Sequence, residues 1–372
     1  STMQIVLVIS ASLIIVSFSG IISSILQAYE VMEYLSLGSV IDNLSMLILA
    51  LLAIRSDMDV YEFSYVYLIS SMIFLGYYVL VALRKITLPK WDIDLAFWKY
   101  IIKEAIPFGL SLVFVRIYYY IDTVMISLMI SNPNEVMGWY NAAYRMVLVL
   151  AFIPVTFLGS IYPIMSKYYV TSDKYLGFIF ERSFKYLMIV AIPIGVGTTI
   201  LGNQLILLIY GSDFEPSAIA LQILVWSEVF IFLNAVFGNL FNSINRQAIV
   251  AKQTILATAL NIILNLFLIP RYSYVGASGA TVATQAFAFF FLMYFASREG
   301  YSFPRIMITH LSKVLFACFI MALFIRLLSG LPLLLLILIA AIVYLIGIVL
   351  TGVIDGIDIQ MARQLIGKAN DD

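Results

Sequence analysis

Cysteine and histidine are almost absent, with one of each, Cys318 and His310, in 372 residues. One cysteine excludes an internal disulfide and a cysteine-ligated metal centre. His310 sits at a span edge beside Thr309 and close to Lys313, where a histidine facing lipid headgroups is the plainer reading than a proton relay. Charge is scarce too. Only 11% of residues are charged, against roughly 25% in soluble domains. Lys plus Arg and Asp plus Glu both total 21, so no basic excess points to a nucleic acid. No metal-ligand cluster, nucleophile–base set or phosphate-cradling glycine loop occurs. Neither an enzyme nor a cofactor is expected.

What the chain has instead is apolar length. Hydrophobic residues make up 63% of it, against about 45–50% for soluble domains, so the solvent must be largely lipid. Eleven runs are long enough to cross the hydrocarbon: 4–27, 34–54, 63–83, 103–130, 139–166, 181–209, 219–242, 250–270, 276–297, 309–329 and 332–352. The run 181–209 holds Pro193, Gly195, Gly197 and Gly202, and a kink or break is expected there. Lysine and arginine separate between alternate loops, sixteen on one side and three (Arg55, Arg271, Arg326) on the other. By the positive-inside rule the C-terminus is cytoplasmic.

Residues 25–54 and 240–269 match in length and layout, each a span end, a polar turn and a second span. They lie six spans apart and point the same way, as in transporters built from parallel halves. The expected fold is an all-α polytopic membrane protein: two six-helix bundles in a parallel pseudo-repeat plus two extra C-terminal helices. The first three helices of the first bundle would then be missing, and the chain is expected to be a fragment of a fourteen-span protein. The divisions are residues 1–83 (the rest of the N-terminal bundle), 84–99 (an interfacial linker with Trp91, Phe97 and Trp98), 100–298 (the second bundle) and 299–372 (two accessory spans and a tail).

Charges inside spans face a cavity or a partner. Asp42, Arg116, Asp122, Arg145 and Glu228 are the clear cases. At 1.5 Å per residue Asp122 lies ~12 Å and Arg145 ~10 Å from the outer ends of consecutive spans, so a buried Asp122–Arg145 ion pair is expected, either structural or mobile. Arg116 is ~21 Å deep and shares a face with Tyr120, Thr123 and Ser127. That stripe suits a water-filled cavity whose guanidinium receives a phosphate, or Arg116 is hidden against Asp42 or Glu228. Glu228 continues a stripe through Ala235, Asn239 and Asn242. The next span carries Thr254, Thr258, Asn261 and Asn265 on one face, with Gln285 at matching depth. Glu228 could bind a driving cation or proton, or neutralise Arg116. Polar span residues also serve as plain helix–helix glue.

The stretches EAIPFGLSLVFVRIYYYIDTVMI, EVMGWYNAAYRM, PVTFLGSIYPIMSKYY, LIYGSDFEPSAIALQIL and LNIILNLFLIPRYSYVGASGATVAT resemble the polysaccharide biosynthesis family, the O-antigen-type flippases of the multidrug/oligosaccharidyl-lipid/polysaccharide exporter superfamily. The resemblance runs from about residue 20 to 330. It implies two six-span bundles around a central cavity, with further spans, in the plasma membrane. It also implies transfer of a polyprenyl-diphosphate-linked oligosaccharide to the outer leaflet by a monomer, driven by Na+ or H+, with cavity cations receiving the diphosphate. On that basis the substrate set is Arg116, Tyr120, Thr123, Asn141, Arg145, Asn239, Asn261 and Asn265, with Asp42, Asp122 and Glu228 as ion-coupling or charge-pairing groups. A multidrug/cation antiporter of the same superfamily is the second expectation, and a membrane glycosyltransferase ranks below both.

Overall fold

The computed structural model describes residues 2–29, 32–85, 94–301, 305–356 and 358, with the side chains at 2, 28, 32, 104, 107–118, 305 and 306 outside the description. Among the described residues the protein is all helical: α1 (Thr2–Ala28), α2 (Met32–Arg55), α3 (Val60–Lys85), α4 (Leu95–Met129), α5 (Pro133–Leu148), α6 (Phe152–Thr171), α7 (Asp173–Tyr210), α8 (Ser217–Ser243), α9 (Gln247–Arg298), α10 (Arg305–Leu327) and α11 (Leu333–Leu350). Nine helical stretches among the described residues are long and apolar enough to cross a membrane. The runs expected from the sequence lie mainly within these eleven helices. The run 139–166 crosses α5, a 3-10 turn at Val149–Ala151 and α6. The runs 250–270 and 276–297 share the 52-residue α9, which turns at Ser273 (φ 52, ψ −138).

Two compact units divide at Glu104/Ala105. In the first, α3 packs on α1 and α2 around Leu26, Tyr78 and Val81. Gly38 lets Tyr78 come so close that a Cβ there would meet its hydroxyl at 2.7 Å. The expected interfacial linker lies largely outside the described residues. Its Phe97 and Trp98 open α4, whose first turn is capped by Asp94 Oδ1 accepting from the amides of Ala96 (2.8 Å) and Phe97 (3.1 Å). The tail beyond 358 also lies outside the described residues.

The second unit is built on α7 and α8. Phe180, Phe184, Phe237 and Phe289 interlock there with ring centroids 5.6–6.4 Å apart. Of the kink or break expected at Pro193, no break occurs: α7 runs through it as one helix of 38 residues. Proline has no N–H to give the carbonyl four residues back, which here is Ile189. The Tyr344 hydroxyl of α11 donates to that oxygen at 2.7 Å, so a neighbouring helix supplies the missing bond. The nearby glycines serve packing. A Cβ at Gly195 would meet Val229 at 2.9 Å, and one at Gly202 would meet Gln222 at 2.8 Å.

The chain past α11 is tied back to α7. Lys185, 1% exposed, gives Nζ to Asp358 at 2.5 Å. Arg182 bonds Asp355 at 2.5 Å and Asp358 at 2.7 Å, and Tyr186 donates to Asp358 at 2.6 Å. Burial pushes the Asp355 carboxyl up, but the bonds from Arg182 and the Asp358 amide and the charge of Lys185 outweigh it and hold it at about 2. Asp358 is likewise lowered: burial opposes, and Lys185 and Tyr186 prevail.

Tyr344→Phe should leave the Ile189 carbonyl unpartnered and destabilise the protein by about 1–3 kcal/mol, read as a lower melting temperature in detergent. Lys185→Met should cost about 3 kcal/mol, because a buried carboxylate loses its closest cation. Both carboxyls are depressed in the fold, so their contribution is full above the unfolded aspartate value near 4 and lost as pH falls from there toward about 2. Hydrogen exchange of residues 353–356 at pH 5 and at pH 2.5 reads that loss.

Candidate functional site

The sequence places a carboxylate, Asp122, in the outer half of an apolar helix, where only protein groups can satisfy it. It is 6% exposed. Three neutral donors reach it: Tyr140 Oη to Oδ2 at 2.7 Å, Thr281 Oγ1 to Oδ2 at 2.7 Å, and Asn265 Nδ2 to Oδ1 at 2.6 Å. Asn265 Nδ2 also bonds Asn261 Oδ1 at 3.0 Å. The donors come from α5 and from both arms of α9, so the turn at Ser273 is what brings Asn265 and Thr281 to one carboxylate. Gly276 permits the tight return, since a Cβ there would lie 2.4 Å from the Leu268 carbonyl oxygen. Asn265 Oδ1 is buried without a hydrogen-bond partner. The result is a cluster of hard oxygen atoms, one anionic, with no cation among its described neighbours. Among the described residues no group of three or more His, Cys, Asp or Glu could hold a metal ion. One carboxylate with amide and hydroxyl oxygens therefore fits a proton or a monovalent cation better than a divalent one.

The expected Asp122–Arg145 pair does not form. Arg145 is exposed and joins no ion pair among the described residues. Two geometric facts explain this. Helix α5 begins at Pro133, six residues before the expected start, so Arg145 lies ~18 Å from that end while Tyr140 lies ~10 Å from it. The five residues between Tyr140 and Arg145 turn them about 140° apart, so facing Tyr140 to Asp122 turns Arg145 away.

The other expected residues divide among separate places. Asn261 and Asn265 join the Asp122 cluster. Thr123 donates to Asn141 Oδ1 at 3.2 Å, a second α4–α5 bond, while Tyr120 is 55% exposed. Asp42 lies in the first unit, where Ser70 donates to its Oδ1 at 3.3 Å. The side chain of Arg116 lies outside the described residues. Glu228 is buried, with Oε2 lacking any hydrogen-bond partner. Asn234 bonds Gln285 Oε1 at 3.1 Å. The expected Glu228 stripe splits: Ala235, Asn239 and Asn242 line a cleft that Glu228 does not reach.

Tyr140 and Thr281 were not among the residues singled out in the sequence. A helix start at Pro133, where proline favours the first turn, would have put Tyr140 at the depth of Asp122. The Asp355/Asp358 pair was visible just past the last span, but nothing in the sequence joined it to Arg182 and Lys185.

A family model described as Polysaccharide biosynthesis protein matches residues 2–169, and one described as MatE matches residues 107–267. The first match spans a little under half of the chain, which over that stretch is similar to the polysaccharide biosynthesis family. Among curated relatives of this chain, an uncharacterized membrane protein of Methanocaldococcus jannaschii is 24% identical over 293 residues, covering 76% of this chain and 57% of the relative. The probable low-salt glycan biosynthesis flippase Agl15 of Haloferax volcanii is 22% identical over 170 residues, covering 45% of this chain and 36% of that protein. The chain thus spans about half the length of the first relative and about a third of the second. The lipid II flippase MurJ in an inward closed conformation has the same fold, with a TM-score of 0.80 at 18% identity, covering 94% of this chain and 74% of that one.

Two variants test the Asp122 geometry. Thr281→Val removes a donor from a buried carboxylate and should destabilise by about 1–3 kcal/mol. Arg145→Ala should leave the melting temperature unchanged, whereas an Asp122–Arg145 ion pair would make it the more damaging of the two.

Proposed function

We propose that the chain is part of a flippase that moves a polyprenyl-diphosphate-linked glycan from the cytoplasmic to the outer leaflet by alternating access. The observation that carries this reading is the polysaccharide biosynthesis family match over residues 2–169. The relative named as a probable glycan biosynthesis flippase supports it. The lysine and arginine asymmetry supports a cytoplasmic C-terminus and α8–α9 turn, the side on which such a substrate is loaded. Arg145, exposed and without an ion pair among the described residues, is available to a diphosphate, and Arg116 is the second candidate cation. The Asp122 cluster is the coupling site. Its carboxylate and spare amide oxygen take up H+ or Na+, and a bound cation changes how α4, α5 and α9 pack. That differential packing is what lets an ion bias one conformation over another.

The test is glycan export in cells that lack their own flippase and express the full-length protein. Arg116→Ala and Arg145→Ala should each reduce export about tenfold or more, the equivalent of one lost charge-assisted hydrogen bond. Asp122→Asn should remove the dependence of export on Na+ or pH. Wild-type export by both arginine variants would overturn the assignment. The match to MatE over residues 107–267 favours a drug/cation antiporter as the second reading, which predicts heightened drug sensitivity on deletion with glycan export intact.

A further inference from the structure

Between α6 and α8, near the α8–α9 turn, lies a cleft of about 730 Å³, within the usual range for small-molecule sites. It is separate from the Asp122 cluster, and none of its lining residues carries a charge. Its polar lining is amide and phenol: Asn239, Asn242, Asn245 and Gln247 with Tyr162. Asn239 gives its amide N–H to the Leu158 carbonyl at 3.3 Å. Among the described residues the side chains of Asn242, Asn245 and Gln247 make no hydrogen bond to protein. Asn245 holds a left-handed backbone (φ 58) that asparagine tolerates, and it carries the chain around the cleft mouth. Two lining residues, Gly159 and Gly238, have nothing within 4 Å of where a Cβ would be. They leave the helix backbone open to whatever enters.

This chemistry selects against a diphosphate, which needs cations. It suits a neutral polyol. A carboxamide offers one acceptor oxygen and two donor hydrogens, which matches a pair of neighbouring sugar hydroxyls, and an exposed tyrosine ring offers an apolar face to the C–H side of a pyranose. Bare glycines let a flat ring lie against the helix. The cleft also sits at the end of the unit that carries Arg246 and Lys252, the loading side in the reading above.

We propose that this cleft is the glycan subsite, taking uncharged hexose or N-acetylhexosamine units while the diphosphate is held elsewhere; the proposal rests on the flippase reading. The test uses the purified full-length protein in detergent and two soluble probes, farnesyl diphosphate and farnesyl diphosphate carrying N,N′-diacetylchitobiose. The wild type should bind the glycosylated probe at least tenfold more tightly. Gly238→Leu and Gly159→Leu fill open space, so they should keep the wild-type melting temperature and farnesyl diphosphate affinity but erase the tenfold preference. Gly238→Ala should weaken the preference less than Gly238→Leu. If the preference survives both leucine variants, the subsite is overturned and the flippase reading stands. If the variants weaken both probes equally, the cleft is not a glycan subsite. If the wild type binds neither probe, the flippase reading fails and the subsite with it.

Discussion

A carboxylate about 12 Å inside hydrocarbon has no water to turn to, and much of the second unit is arranged around that fact. Asp122 is met by a phenol from α5, an amide from the first arm of α9 and a hydroxyl from the second. Those groups converge only because α9 reverses at Ser273 and because Gly276 closes tightly on the Leu268 backbone. One anionic oxygen pair thereby fixes the relative placement of four helical segments. Its three donors are all neutral. The charge is shared among hydrogen bonds rather than cancelled, which leaves the cluster responsive to a proton or small cation in a way that a closed Asp–Arg pair would not be.

The same requirement explains features that otherwise look unrelated. Proline in α7 removes one backbone donor, and a tyrosine four helices further along the chain replaces it. Lys185 lies in the same helix and is only 1% exposed, yet it is met by two aspartates from beyond the last span. The outer surface needs no such care. Leu128, Val170 and Leu350 are each at least 80% exposed.

Spans and loops were legible in the sequence because they follow from one-dimensional quantities: apolar run length and rise per residue. Asp122 was singled out by being charged inside a span, and Asn261 and Asn265 by sharing one polar helix face. Partnership was not legible. It depends on helix phase and on where a helix starts, and a six-residue error at the start of α5 was enough to exchange Tyr140 for Arg145. Pro193 shows the complementary limit. The sequence shows the missing donor, but the Tyr344 hydroxyl that replaces it lies 155 residues from Ile189. The tie between α7 and the segment after α11 is a contact of the same long-range kind.

That tie imposes an order on biogenesis. Lys185 and Asp358 are separated by 173 residues, so at roughly 5–20 residues per second the lysine emerges roughly 10 to 35 s before its partner has been synthesised. Through that interval α7 holds an unmatched ammonium near its end, and the helix has reason to stay close to the membrane surface until translation passes residue 358. The final seating of α7 is therefore timed by the ribosome as well as by packing.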